Sequence, residues 1–325
     1  MRSQATAAAA RHAQDLVCCR VAGRSYAFDS REVRFIARSD QVAAARDGVA
    51  RVGTLRGPDP IPVYSMAALL HPSADADGGT HVVVTGTGEG LVGWQVDRIL
   101  RGNRDEAPEL LALPGLAGPV SRRWFTALIG SEEEPGLVCS PSGLDPRARA
   151  LQTLAEPPLP GAVLSSSGAA RGVVAVFSSS ALPGCGAARY AISGRRIVAV
   201  VQSMAACVVP GTPSHVVALA AWRGLAVPLL DLSGGTSAAH EGNRGRYLLV
   251  RYGTGAHATV VGIAIDRDVV LHRASAADAP IGRPVADVPP GIQLFSIGGE
   301  PAAFFDLDAL IGQRVDGALG GSQES

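Results

Sequence analysis

Seven histidines, five cysteines and 29 acidic side chains are the groups with which this 325-residue chain could do chemistry. Their spacing assembles no catalytic or metal motif. The histidines show neither H-x-x-x-H nor H-E-x-x-H, the patterns that put two imidazoles on one helix face around zinc. Cys18, Cys19, Cys139, Cys185 and Cys207 are odd in number, scattered and without C-x-x-C, so they read as small buried hydrophobes of a reducing compartment, not a disulfide or thiolate framework. No serine sits in a G-x-S-x-G elbow. All 29 basic residues are arginine, which removes Walker A loops, protein kinases, Schiff-base enzymes and Ser-x-x-Lys hydrolases in their standard forms, because each needs a lysine amine. The glycine runs Gly86 to Gly90 and Gly253 to His257 look like phosphate loops, but each joins two predicted strands, whereas a dinucleotide loop must open a helix. The expectation is a protein with no catalytic residues, no metal and no cofactor.

Charge narrows the partners. With 29 basic against 29 acidic residues, the chain has no electrostatic reason to bind nucleic acid or an anionic membrane. Aromatic residues make up 5% of it, too few for the stacking platforms of a single-strand-binding barrel. The alanine-rich start lacks the bulky apolar core of a signal peptide. The longest apolar stretch, Ile197 to Val209, is broken by Gln202 and Ser203, short of the roughly 20 residues a membrane helix needs. A cytoplasmic protein without membrane insertion is expected.

What remains are arginines at recurring places. "TLRGPDPIPVYSM", Thr54 to Met66, is echoed by "AWRGLAVPLLDL", Ala221 to Leu232. The echo belongs to a longer repeat. "SYAFDSREVRFIARS", Ser25 to Ser39, lies without a gap over "RYAISGRRIVAVVQS", Arg189 to Ser203, placing Tyr26 on Tyr190 and Val33 on Ile197. Leu55-Arg56-Gly57 falls on Trp222-Arg223-Gly224, "VGWQVDR" from Val92 on "VGIAIDR" from Val261, and a closing Ile-Gly hairpin ends each copy. Blocks in the same order make the chain a tandem repeat.

The elements that must position these residues are strands. β-branched runs joined by glycine-rich turns are hairpin signals, and closely spaced short strands point to small barrels or a sandwich. Pro62 and Pro228 are expected at a strand start or edge, where no ladder donor is lost. Helix is expected only in the N-terminal alanine-rich stretch and in short pieces such as Asp306 to Val315, where Asp306 can cap the first turn. The acidic trio Glu132 to Glu134 reads as a solvated hairpin tip. The expected organisation is an N-terminal extension at 1–16, a first copy at 17–153, a Pro/Gly/Ser-rich linker at 154–172, a second copy at 173–315 and a tail at 316–325.

In this order, Tyr-Ala-apolar, Leu-Arg-Gly, apolar-Pro-apolar, Val-Gly-x-x-Val-Asp-Arg and Ile-Gly, the blocks resemble the CheW-like adaptor domain of bacterial chemotaxis. The second copy keeps R-G-x-x-x-P-apolar-apolar-Asp-Leu; the first departs at Ser65-Met66 and in "LVCSPSGL", where the final strand and the acidic start of the last helix are altered. The resemblance implies an all-β fold of two tandem CheW-like domains, each a pair of five-stranded SH3-like β-barrels, with short helices. It also implies a scaffold without catalysis that bridges the cytoplasmic tip of methyl-accepting chemoreceptors and the regulatory domain of a CheA-type histidine kinase, and that also meets other CheW-like proteins. A divergent scaffold holding one partner only is the alternative within the family; a β-barrel ligand-binding protein, or an enzyme with a cleft involving Asp97 and His81, are alternatives outside it.

The partner-binding residues to test are Arg56, Gly57, Arg223, Gly224, Trp222, Val33 and Ile197. For the arginines the competing expectation is structural, a pairing with Asp97 or Asp266. Gly57 and Gly224 are expected to supply a positive φ. Val33 and Ile197 match positions that help bind receptor in the family, or else lie in the core. Trp222 is an interface anchor or packs between barrels.

Overall fold

The structure, a computed structural model, describes residues 16–45, 50–72, 79–100, 108–131, 134–149, 173–183, 189–233, 245–253, 258–273 and 292–311. The helix expected in the N-terminal alanine-rich stretch, the expected linker and tail, Cys185, Glu132, Glu133 and residues 254–257 lie outside them.

The first copy runs β1 (Leu16–Val21), β2 (Arg24–Asp29), β3 (Val33–Arg38), β4 (Val42–Ala44), β5 (Arg51–Leu55), β6 (Ile61–Ser65), β7 (His81–Thr87), β8 (Gly90–Val96), β9 (Arg98–Ile99), β10 (Glu109–Ala112), β11 (Phe125–Gly130) and β12 (Gly136–Cys139). The second runs β13 (Val173–Phe177), β14 (Tyr190–Ser193), β15 (Ile197–Val201), β16 (Ala206–Cys207), β17 (Val216–Trp222), β18 (Leu225–Leu230), β19 (Arg246–Tyr252), β20 (Thr259–Ile265), β21 (Val270–Arg273), β22 (Ile292–Ile297) and β23 (Glu300–Phe305). Each copy makes two sheets, ordered β10-β11-β12-β2-β1-β9 and β3-β7-β8-β6-β5-β4 in the first and β21-β13-β14-β23-β22 and β15-β19-β20-β18-β17-β16 in the second. The sequence repeat is thus a repeat of topology. In both copies the last strand returns parallel to the second, β12 beside β2 and β23 beside β14, and a second parallel pair closes the other sheet, β6 beside β8 and β18 beside β20.

The tyrosines that anchored the alignment explain why it holds. Tyr26 and Tyr190 are buried at the parallel pairings, opposite Leu137 and Ala303. Tyr26 lies against Phe125 with ring centroids 6.2 Å apart, and Tyr190 joins Phe177 and Phe305 in a three-ring cluster. Such aromatic pairs stabilise beyond the area they bury. In the other sheet of the first copy, apolar side chains pack inward as the cluster of Ala37, Leu55, Ile61, Val63, Val82 and Val84.

Three expectations are corrected. Pro62 and Pro228 sit inside strands that have neighbours on both sides, β6 and β18. They are tolerated because the parallel partner begins one residue later, at Val63 and Leu229, so no bond of that ladder is lost. Glu134 is not simply solvated but pairs with Arg20 and accepts from Ser25 Oγ at 3.2 Å. The departures of the first copy preserve the physics of the second. Ser65, which replaces the aspartate of Asp231-Leu232, caps the helix Met66–Leu70 by accepting from the Ala68 N–H at 3.2 Å, while Asp231 accepts from Ser233 N–H at 2.9 Å. Ser65→Ala is expected to cost about 1 kcal/mol, read as a lower midpoint in urea unfolding of the full chain, and Ser65→Asp to restore it.

An acid also closes the first copy: the β12 and β23 registers put Ser142 at the place of Asp308, and Asp145 follows it by three residues. Asp145 is fully buried, accepts from Thr87 Oγ1 at 2.9 Å and from the Arg147 guanidinium at 2.8 Å. In the second copy Asp308 accepts from the Gly253 N–H at 3.0 Å and from Arg196 at 2.7 Å. Each acid ties the start of the C-terminal helical turns to the central hairpin of its copy. Asp306 begins the last helix as expected, accepting from the Asp308 N–H at 3.0 Å.

The chain divides into two compact units, one of Met1–Ala155 with Ala205–Thr212 and Leu219–Ala226, the other of Glu156–Met204 with Pro213–Ala218 and Val227–Ser325. Within the first unit, the fully buried Ser121 donates its hydroxyl to the Pro210 carbonyl at 2.8 Å. Beside it Gly211 has φ +76°, and a Cβ there would come within 2.7 Å of Val120.

Candidate protein-protein interface

The arginines do not pair with the aspartates expected for them. Asp97 Oδ2 accepts from the Ala22 N–H at 2.8 Å and holds the two-residue turn between β1 and β2. Asp266 does the corresponding work after β13, accepting from Ser180 Oγ at 3.0 Å. These carboxylates are loop anchors, which leaves Arg56 and Arg223 without an ion pair among the described residues. His81 shares a hydrogen bond with Thr80 at 2.8 Å while the Asp97 carboxylate is turned to Ala22, so the two do not converge on a reacting position. Burial pushes the thiols of Cys18, Cys139 and Cys207 up, the last to about 12, which keeps them protonated and poorly nucleophilic at neutral pH. Among the described residues no group of three His, Cys, Asp or Glu could hold a metal ion.

The two R-G turns turn out to differ. Between β17 and β18 only Arg223 and Gly224 make the turn, with φ of +47° and +75°, the combination that a two-residue type I′ loop demands. Gly224 therefore supplies the positive φ expected of it. Gly57 does not, because the first copy spans the same place with five residues, Arg56 to Pro60, and two prolines bend the longer loop without a left-handed residue. Arg56, Gly57, Arg223 and Gly224 are all exposed. The Arg223 guanidinium lies over the half-buried Trp222 ring, 5.0 Å from its centroid, a cation–π arrangement.

Val33 and Ile197 open corresponding strands, β3 and β15, each at one end of its sheet. Both are half-buried, and both stand at a register shift, Val33 opposite Thr85 and Ile197 opposite Val250. Neither is a core residue. Along the same strands the structure exposes apolar side chains that the alignment did not single out: Phe35 and Ile36, 44% and 43% exposed, and Val198 and Val200, 38% and 43% exposed. Their signal was the run of consecutive apolar residues in "VRFIAR" and "IVAVV" where a half-buried strand should alternate. Each copy therefore presents a bulged end strand with exposed apolar side chains. The arginine turns stand near the opposite end of the strand order; Trp222, Arg223 and Gly224 share one tip, and Arg56 with Gly57 another.

The repeat in the sequence is matched by a known family description. The model of the CheW-like domain matches residues 15–116 and again 182–315, more than half of the chain. The chain belongs to the CheW-like domain family. Among curated proteins none matches it. Among solved structures it is similar to the crystal structure of the scaffolding protein TtCheW from Thermoanaerobacter tengcongensis, at 12% identity and a TM-score of 0.32, over 40% of this chain and 85% of that one. The fold class is that of tandem CheW-like domains, mostly β with short helices. Among the described residues no helix is long and apolar enough to cross a membrane.

Proposed function

We propose that the chain is a non-enzymatic adaptor of chemosensory signalling that joins the cytoplasmic tips of chemoreceptors to the regulatory domain of a CheA-type histidine kinase. It is taken to be a cytoplasmic protein, held at receptor arrays by its partners. The observation that carries this reading is the CheW-like match in both halves of the chain. Apolar edge strands and arginine tips that form no ion pair among the described residues, repeated in each copy, support it, because contacts between barrels rest on apolar patches flanked by a few arginine hydrogen bonds. The receptor is assigned to the β3 and β15 faces around Val33 and Ile197, the kinase to the R-G turns.

The test is co-sedimentation of the full chain with membranes carrying a chemoreceptor from the same genome, with and without its kinase. Ile36→Asp together with Val200→Asp places charge on exposed positions, leaves folding intact by circular dichroism, and is expected to reduce receptor-dependent sedimentation about tenfold. A folded wild-type chain that sediments with neither partner contradicts the proposal.

A further inference from the structure

We propose that the hairpin tip of the second copy, Trp222, Arg223 and Leu225, is a docking point for a surface carboxylate set beside an apolar side chain on a folded partner domain. The inference rests on the adaptor reading above and names the chemistry of one of its contacts.

The first observation is backbone strain. Arg223 and Ala22 are the two non-glycine residues at positive φ among those described. A Cβ in this region costs about 1 kcal/mol, and glycine, asparagine or aspartate is favoured at the first position of a type I′ loop. Ala22 lies at a turn whose own N–H is held by Asp97. Arg223 has no comparable hydrogen bond among the described residues, where its guanidinium meets the Trp222 ring.

The second observation is how the tip presents its groups. Trp222 and Leu225 close the two-residue loop and so project from the same face of the hairpin. The indole underlies the guanidinium, and Leu225 is 46% exposed. An arginine lying over a ring is restricted in orientation yet keeps its N–H edge free, the arrangement suited to two-pronged recognition of a carboxylate. The rim of apolar surface fits an anchor residue beside that acid. Arg56 lacks this setting, with Leu55 before it and itself the first residue of a five-residue loop.

The third observation is a resident acid. Within the same compact unit, Glu109 Oε1 lies 3.2 Å from where a Cβ of residue 224 would stand. A partner carboxylate arriving at Arg223 meets that charge, so Glu109 weakens docking and helps select a partner.

The experiment is calorimetric titration of the full chain with the isolated regulatory domain of the CheA-type kinase from the same genome, alongside thermal unfolding. Arg223→Gly is expected to raise the unfolding midpoint, by relieving strain, and to weaken binding about tenfold. Arg223→Lys keeps charge without the fork and is expected to fall between, and Glu109→Gln to strengthen binding about threefold. Binding of Arg223→Gly equal to wild type, or a lowered unfolding midpoint, overturns the inference while leaving the adaptor reading in place. Failure of the wild-type chain to bind the domain overturns both.

Discussion

Arg147→Ala is expected to destabilise the first copy by about 3 kcal/mol at neutral pH, far more than loss of a surface ion pair. Asp145 has no exposed side-chain surface whereas Arg147 is about a third exposed, so removing the arginine takes from a buried carboxylate the guanidinium that compensates its burial. Burial alone would push the Asp145 carboxyl up, but hydrogen bonds from the Arg147 side chain and N–H and from Thr87, with the Arg147 charge, hold it below the usual carboxylate range. The group therefore stabilises the wild-type fold at any pH above the unfolded value near 3.9. That contribution is lost as pH falls through the lower folded value. Without Arg147, burial dominates and the folded value rises. The variant's deficit is then largest at neutral pH and shrinks as acid protonates Asp145. Urea unfolding at pH 7, 5 and 4 reads both effects: the gap between wild type and variant is expected to narrow toward pH 4, and a gap below about 0.5 kcal/mol at pH 7 would mean the pair behaves as a solvated one. Arg196→Ala serves as the internal comparison. Asp308 keeps 15% exposure and a bond to the Gly253 N–H, so its loss is expected to be smaller.

The second large effect is expected at Trp94. Its side chain is fully buried, and its indole N–H donates to the fully buried Thr85 hydroxyl at 2.7 Å. Trp94→Ala is expected to cost about 3–5 kcal/mol, through lost burial and the cavity left behind. Thr85→Val is a finer test, because it leaves the volume and removes the acceptor: an indole N–H orphaned in the core costs about 1–3 kcal/mol. The second copy has already made both changes. Ile263 and Val250 occupy the places of Trp94 and Thr85, opposite Leu248 and Val261 in the matching ladder. The polar pair and the apolar pair are alternative solutions of one core, so Trp94→Phe combined with Thr85→Val is expected to be less damaging than the two single losses added together. Fluorescence-detected unfolding of the four variants measures that coupling; strict additivity would mean the bond contributes nothing.

Much of this architecture was legible because it was written twice. Tyr26 and Tyr190, Val33 and Ile197, Asp97 and Asp266 occupy equivalent places in the structure, and short β-branched runs between glycine turns did become strands. What the sequence could not show was which way each equivalent group turned. Arg56 and Arg223 align by type and diverge in backbone: one residue more between turn and proline, and a β6 that starts one residue before its proline where β18 starts three before, exchange a two-residue loop for a five-residue one. Asp97 aligned as a partner for arginine but serves a backbone N–H across the sheet, a contact set by register. The first copy looked eroded at Ser65 and at its closing acid because letters had changed. Ser65 still accepts the N-terminal bond of its helix, and Asp145 stands in for an acid displaced along the chain. The exposed apolar side chains of β3 and β15 were legible only in part: consecutive apolar residues mark such a strand, but exposure depends on where it lies in the sheet order, and composition alone does not tell an edge strand from a central one.

The central claim, that this tandem CheW-like chain is an adaptor, is tested most directly by calorimetric titration of the full wild-type chain with the regulatory domain of the CheA-type kinase from its own genome. The account predicts saturable binding at a fixed stoichiometry, weakened by salt because an arginine tip takes part. Absence of heat and of complex by sedimentation, with a correctly folded chain at concentrations well above the micromolar range typical of transient contacts, would contradict it.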